Sequence, residues 1–355
     1  MRAVPRENRV SVRPRSLPGR VCRIAAALAG WLIVVSTFAF APALADPPPQ
    51  LHRLGDSGGF PPIGIRLDHA QDRGHWIFSY RYVRASSEGL LDGTDQVAVD
   101  DILGAPYSEV PTSQTDEAHI MSVAYAPLDR LTFELSLPYL VREQHVATAT
   151  GGRTHSARGI GDARFVFVVP FIENGEQETH LTAGFTFPTG SVQETDANGE
   201  RLPYNVQLGS GTWDVVWGIT YTGRHERISW GGEVDGIYRI GSNSEGYTQG
   251  TRYAASGWIS AMAHEWVSVS ARLAWDRRTN VNGSDPLLDP LESPANDPYR
   301  QGWNRLEVGP GANVLVPVLG GQRLAIEWMF PVYQTVSGPQ LERDWTLTAG
   351  FQWLY

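Results

Sequence analysis

The sequence has almost no cysteine and no lysine, and both absences limit its function. Its one cysteine, Cys22, lies just before an apolar run near the N-terminus. If that segment is removed, no thiol remains, which excludes thiol catalysis and cysteine-ligated zinc. All 29 basic residues are arginine, against 38 Asp and Glu residues, and the net charge is −9. A chain this acidic lacks the basic surface that nucleic-acid binding requires.

Long apolar runs are also missing after Phe40, so no membrane-spanning helix is predicted there. Before that point, seven arginines are followed by the apolar run Ile24–Phe40, then Pro42 and Ala43–Ala45. This order is typical of a signal peptide cleaved before Asp46. A retained anchor is the alternative, because about 17 apolar residues are close to the length that spans a bilayer. Cleavage would leave 22 basic and 37 acidic residues, a net charge of −15.

The remaining chain divides into two predicted parts. Residues 46–73 are rich in Pro and Gly and show no periodicity, so we predict a flexible periplasmic leader or a small plug. Residues 74–355 alternate apolar with polar or small side chains in segments of about ten residues, as in Trp76–Tyr82 and Leu131–Tyr139. This pattern predicts strands that face lipid on one side and water on the other.

About twelve such segments can be counted, and they predict an all-β, antiparallel, up-and-down transmembrane barrel with both termini periplasmic. Connections alternate between short turns and long loops, and Arg142–Arg158 is predicted to be one of the long ones. Same-face aromatics recur eight positions apart, for example Trp213 and Tyr221, which matches an apolar band flanked by aromatic girdles. We expect Trp345–Tyr355 to close the barrel against the strand that begins at Trp76.

The strand faces opposite the lipid-facing stripe carry charges of both signs, which predicts a hydrated interior. For any one of these residues, a simple role in solvating the barrel interior and cross-linking it through ion pairs is the alternative. The candidate lining residues are Arg81, Glu134, Asp162, Arg164, Asp214, Glu233, Asp235, Arg239, Arg272 and Glu327.

One loop repeats an Asp-Pro or Ser-Pro pair every four residues between Asp285 and Pro298. Proline fixes φ, and a preceding Asp or Ser favours turns, so the loop should be stiff. Asp285, Asp289 and Asp297 are candidates for a constriction at the pore mouth or for a calcium site, and a plain rigid loop is the alternative.

Neither a catalytic site nor a metal or cofactor site is predicted. The nine histidines show no zinc-site spacing. Ser256, Ser260 and His264 are the nearest candidates for a lipid hydrolase, but the phase of their segment is ambiguous.

Three short motifs resemble one family. Gly159-Ile160-Gly161-Asp162, Phe187-Pro188-Thr189-Gly190 and Leu208-Gly209-Ser210-Gly211, the last followed by Asp214, are similar to the outer-membrane transporter-like family of the MetA pathway of phenol degradation. The resemblance covers about Trp76 to Tyr355. It implies a barrel that moves small, often aromatic or hydrophobic, organic compounds. Similar chains often carry a Met- and His-rich stretch near the first strands, whereas this chain has only three methionines after the leader, which weakens a soft-metal role.

The sequence therefore predicts a passive outer-membrane pore in a Gram-negative envelope. It needs no cofactor and is not an enzyme. Its partners are membrane lipid, the machinery that inserts barrels and the small solutes themselves, and its oligomeric state is left open. An embedded lipid hydrolase and a non-transporting surface-structural barrel are the alternatives.

Overall fold

A computed structural model describes residues 60–65, 73–104, 106–174, 176–316 and 322–354. The predicted signal peptide, most of the predicted leader and Tyr355 lie outside the described residues. Among the described residues no helix has the length and apolar character needed to cross a membrane.

The chain is built almost entirely from strands, which form because apolar and polar residues alternate along each segment. Helical structure in the described residues is limited to α1 (Val99–Ile102) and two 3-10 turns at Pro294–Asn296 and Pro298–Arg300. The strands are β1 (Trp76–Gly93), β2 (Asp95–Val97), β3 (Glu109–Leu128), β4 (Leu131–Thr148), β5 (Gly151–Ile160), β6 (Ala163–Glu173), β7 (Gln177–Phe187), β8 (Trp213–His225), β9 (Ile228–Ile240), β10 (Tyr247–Thr248), β11 (Arg252–His264), β12 (Val267–Arg278), β13 (Asn282–Gly283), β14 (Trp303–Val316) and β15 (Gln322–Leu354).

One antiparallel sheet closes on itself. The order is β1-β3-β4-β6-β7-β8-β9-β11-β12-β14-β15, and β15 then pairs with β1. The predicted pairing of the first and last strands is confirmed, from Ile77 opposite Leu354 to Gly93 opposite Val336. Eleven elements form this ring, one fewer than the twelve or so predicted. Closure pairs the edges that an open sheet would expose.

The long connection predicted over Arg142–Arg158 is wrong. β4 continues to Thr148, and β5 returns from Gly151 as its hydrogen-bonded partner. β4 therefore pairs with β5 through its later residues and with β6 through Thr132–Ser136. The extension carries polar residues on both faces, so it lacks the apolar alternation that marks a membrane segment. Its backbone hydrogen bonds hold it in the sheet all the same.

The outer face of the barrel is apolar, as the alternation predicts. Trp213 is 54% exposed, whereas its neighbour Asp214 is fully buried on the inner face. Large apolar side chains stay exposed around the ring, including Phe78, Leu135 and Ile259. A closed sheet with such an outer band satisfies its own backbone and presents apolar side chains to lipid, and this places the barrel in the bacterial outer membrane.

The long connections form a packed layer over one end of the barrel. Val192, Tyr204, Tyr247, Val281 and Leu288 bury one another in a small apolar cluster. Arg201, almost fully buried, pairs with Glu245 at 2.7 Å and with Asp285 at 3.2 Å. Because a charged residue is costly to bury without a partner, these ion pairs fix the loops in one arrangement.

A charge placed on the outer band should be costly. Val234 is 50% exposed at the middle of β9 and faces outward. Val234→Arg should lower the free energy of unfolding in phospholipid vesicles by about 2–4 kcal/mol, the cost of a cation near the bilayer midplane. Leu291→Arg, in an exposed loop, should change it by less than about 0.5 kcal/mol. Equal effects in guanidinium titrations would mean that β9 does not face lipid.

Candidate functional site

Two cavities lie inside the barrel and share one wall. The larger, of about 360 Å³, is lined by six arginines and two carboxylates. The smaller, of about 210 Å³, is lined by five arginines and one carboxylate, Asp116, and reaches the loop layer. Arg142, Arg278 and Trp303 line both. The interior is therefore rich in cations, although the chain as a whole is acidic.

Five of the ten predicted lining residues meet at the larger cavity: Arg81, Glu134, Asp162, Arg164 and Arg239. Four of them come from different strands, where alternation turns them inward, and Asp162 lies in the short connection between β5 and β6. Arg81, for example, lies between Tyr80 and Tyr82 on the outer face of β1. The other five predicted residues line neither cavity.

Asp214 lies directly behind the wall of the larger cavity. It accepts hydrogen bonds from the hydroxyls of Thr186 at 2.6 Å, Thr212 at 2.7 Å and Ser210 at 3.2 Å, and it pairs with Arg239. These donors satisfy the buried carboxylate, and its ion pair holds the guanidinium of Arg239 in place.

The motif residues behind the family resemblance meet at one junction. Asp162 accepts hydrogen bonds from the backbone N–H of Gly190 at 3.0 Å and of Ser210 at 2.7 Å. A Cβ at Gly190 or at Gly209 would overlap the backbone of the other, so only glycine fits this crossing. The motifs thus join the β7–β8 loop to the barrel wall beside the cavity.

Arg272 and Glu327, which line neither cavity, form a bidentate ion pair. Arg272 Nε donates to Glu327 Oε1 at 2.8 Å, and Nη2 donates to Oε2 at 2.6 Å. A Cβ at Gly64 would overlap both side chains, so the segment Phe60–Ile65 lies against this pair.

Phe60–Ile65 is bound to the inner wall by several groups. The Phe60 N–H donates to Ser268 Oγ at 3.2 Å, and the Ser260 hydroxyl donates to the Phe60 carbonyl at 2.6 Å. Arg323 donates to the Pro61 carbonyl and lies over the Phe60 ring, 5.0 Å from its centroid. Phe60, Ile63 and Ile65 are all buried. The segment therefore occupies the barrel interior at the end with the short turns.

Glu233 and Asp235 lie on the inner face of β9, opposite the exposed Val234. They flank the strand centre without lining either cavity. Sequence alternation placed them on the correct face but could not place them along the pathway.

The carboxylates of the Asp-Pro loop serve as turn caps. Asp285, Asp289 and Asp297 each accept a hydrogen bond at 2.9 Å from the backbone N–H two residues further on. Within the described residues no group of three or more His, Cys, Asp or Glu could hold a metal ion. The loop does reach the smaller cavity through Ala295, and Arg300 and Gln301 just after the loop line the same cavity.

Several lining residues were missed by the sequence analysis. Arg278 lies six positions after Arg272 on β12, so extending the alternation would have found it. Arg305 precedes the outward-facing Leu306 and could have been found in the same way. No pattern in the sequence singles out Trp303, since an inward-facing tryptophan departs from the aromatic stripe on the outer face.

Two of the three candidate hydrolase residues lie on the wrong side for a lipid substrate. β11 turns Ser256 and Ser260 inward, while Ile259 faces outward. A register shift between Met262 and His264 breaks the alternation there, and His264 pairs with Val267. Ser260 is 1% exposed, and its hydroxyl binds the Phe60 carbonyl. The ambiguous phase of this segment has a physical reason. Trp258 is buried against Gly231, whose missing side chain leaves room for the ring.

Acid should loosen the loop layer at Glu245. Its hydrogen bond from Gln193, at 2.5 Å, and its contacts with Ser244 and Arg201 lower the pKa of this carboxyl below the ordinary 4.5. The stabilisation is therefore present above the unfolded pKa and is lost as pH falls through the folded one. At pH 7, the amides of residues 242–251 should exchange more slowly in wild type than in Glu245→Gln. At a pH far below 4.5, the two proteins should exchange these amides at the same rate.

Glu265→Gln, in a short turn, is the control and should leave exchange in residues 242–251 unchanged at both pH values. A difference between wild type and Glu245→Gln that persists unchanged in acid would show that this carboxyl does not hold the loops.

The fold is that of an outer-membrane β-barrel. A crystal structure of an outer-membrane channel from Pseudomonas putida F1 aligns with a TM-score of 0.57 and 16% identity, covering 81% of this chain and 97% of that one. A FadL homologue from Pseudomonas aeruginosa aligns with a TM-score of 0.37 and 8% identity over 79% and 90% of the chains. The NanC porin aligns with a TM-score of 0.39 and 6% identity over 76% and 98%.

These likenesses concern the fold. No protein-family model matches the sequence, and no curated protein matches it.

Proposed function

We propose that the protein is a passive outer-membrane channel for small solutes and has no catalytic role. One observation supports this most: a closed barrel with an apolar exterior encloses two cavities lined by charged side chains. Passage through such an interior depends on its width and its lining charges.

We infer further that twelve strands form the wall. In a ring of antiparallel neighbours the direction alternates, so the number of strands must be even. A ring of eleven elements can therefore close only if one element contains a turn and contributes two antiparallel strands. β15 pairs with β14 through Gln322–Val336 and with β1 through Val336–Leu354. The Gln334 side-chain amide donates to the Arg343 carbonyl at 2.9 Å and accepts from the Arg343 N–H at 3.1 Å, so the two parts of β15 lie side by side there.

The proposed orientation places the short turns and both termini in the periplasm and the loop layer outside the cell, the usual arrangement of bacterial barrels. Phe60–Ile65 then acts as a plug at the periplasmic end. The loop Asp285–Pro298 narrows the outer mouth through Ala295, and Arg300 and Gln301 beyond it continue that wall.

The solutes we propose are small organic compounds, including aromatic ones. The motif resemblance to the transporter-like family of the MetA pathway supports this choice of solutes.

Liposome swelling tests the proposal. Purified protein in vesicles should admit at least one class in a panel of aromatic acids, sugars and metal salts, and protein-free vesicles should not swell. A flat response across the panel from correctly folded protein would contradict a channel. It would favour a surface-structural barrel instead.

A further inference from the structure

The wall shared by the two cavities carries a group of three side chains that the channel proposal does not explain. Arg278 lies at the end of β12, and its cross-strand partner is Trp303 at the start of β14. Arg305 lies two residues beyond Trp303 on the same inner face. The guanidinium carbons of Arg278 and Arg305 lie 5.0 and 4.5 Å from the centroid of the Trp303 ring. We call these three residues the Arg-Trp-Arg site.

Both arginines lack a counter-ion. Within the part of the chain that the structure describes, no carboxylate lies within 4.0 Å of either guanidinium. Asp276, which lies opposite Arg305 across the two strands, is already bound to Arg252 at 2.7 Å. Two cations therefore flank one aromatic ring inside the barrel, and neither is in direct contact with a carboxylate of the described residues.

Hydrogen-bond donors at this site are also unused. Arg278 Nε, Arg305 Nε and Trp303 Nε1 are buried and have no acceptor among the described residues. Buried donors of this kind are normally satisfied, so three of them together suggest an acceptor that comes from outside the chain. Water can satisfy one donor, but it cannot neutralise two cations.

Charge and shape together define the ligand. An anion with oxygen acceptors would satisfy the guanidinium donors, and a carboxylate fits a guanidinium bidentately. A flat unsaturated group next to that carboxylate would stack on the guanidinium planes that lie beside Trp303. Rings of arginine select anions in other pores.

We propose that the Arg-Trp-Arg site binds small organic carboxylates with a planar ring and makes the channel select anions. This rests on the proposed function for its role in passage, but binding itself does not depend on passage. Arg278 and Trp303 line both cavities, so a solute that moves between the two cavities passes the site.

Calorimetric binding to the detergent-solubilised full chain tests the site directly. The probes are benzoate, benzyl alcohol, acetate and inorganic phosphate. Benzoate should bind more tightly than the other three, because only benzoate presents both a carboxylate and a ring. Arg278→Gln and Arg305→Gln should each weaken benzoate binding about tenfold, the loss expected for one charge-assisted hydrogen bond.

Arg277→Gln is the matched control, since Arg277 is the exposed neighbour of Arg278 on the outer face. It should bind benzoate as wild type does. Benzyl alcohol binding as well as benzoate, phosphate binding as well as benzoate, or unchanged affinity in both inner variants would each overturn the proposal.

Reversal potentials in a salt gradient test selectivity separately. Wild type and Arg277→Gln should pass chloride in preference to potassium, and Arg278→Gln/Arg305→Gln should lose most of that preference. Conducting protein without anion preference would refute the selectivity proposed here and leave the channel intact. Benzoate binding without any conductance would uphold the site and refute the channel.

Discussion

Deleting Phe60–Ile65 should raise the ion conductance of the channel severalfold. The segment fills the barrel interior beside Arg272 and Glu327, where a single added Cβ at Gly64 would already overlap both. Ring closure does not involve it, because β1 pairs with β15 through residues from Ile77 onward. The barrel should therefore still assemble, and the groups that bound the segment, such as Ser260 and Arg323, would be hydrated instead.

A replacement of the same length distinguishes the effect of the segment's side-chain contacts from the effect of having six residues at that position. Six Gly and Ser residues in place of Phe60–Ile65 keep the chain length but remove the buried side chains. This variant should conduct between wild type and the deletion in planar bilayers, and Phe60→Leu should resemble wild type. Unchanged conductance in the deletion variant, with normal heat-modifiable migration of the folded barrel, would show that the segment does not obstruct the pathway.

Glu327→Gln should cause the largest loss of stability of any single substitution considered. Glu327 is fully buried, and Arg272 is only 14% exposed. Removing the carboxylate charge leaves a buried guanidinium without its counter-ion, which typically costs about 3–5 kcal/mol. Denaturant unfolding of the protein in vesicles, followed by tryptophan fluorescence, measures the loss.

The paired variant distinguishes a lost ion pair from a lost shape. Arg272→Met/Glu327→Leu removes both charges and should recover most of the loss, because no buried charge is left uncompensated. Glu176→Gln, whose side chain is 71% exposed, should change stability by less than about 1 kcal/mol. A double variant no more stable than Glu327→Gln would argue against this explanation.

Alternation alone was enough to predict much of the fold. It oriented Asp214 inward beside the outward Trp213, and it paired the first and last strands correctly. The reason is physical: a wall between lipid and water imposes a period of two on every strand that crosses it. A strand that does not face lipid is under no such constraint and need not alternate. For that reason the sequence of the β4–β5 extension, which follows Tyr139, predicts a loop.

The candidate site was only partly predictable. The inward direction of Arg81 and Arg164 follows from the phase of their strands. Asp285 and Asp289 were chosen from the four-residue repeat of their loop, and in the structure their carboxylates cap turns. The Arg-Trp-Arg site depends on which residues face each other across β12 and β14. That register is set by backbone pairing, so one strand read in isolation does not reveal it.

The position of Phe60–Ile65 is a second feature that the sequence pattern could not predict. Six residues without periodicity could lie anywhere along the pore. Their place is set by long-range partners, Ser268 and Arg323 among them, about 200 residues or more further along the chain.

The most direct test of the channel itself is single-channel recording in planar lipid bilayers. Folded wild-type protein should produce discrete current steps, and the Phe60–Ile65 deletion should produce larger ones from the same amount of inserted protein. Silence from both, with insertion verified by protease protection, would contradict the channel and leave a barrel without a transport role.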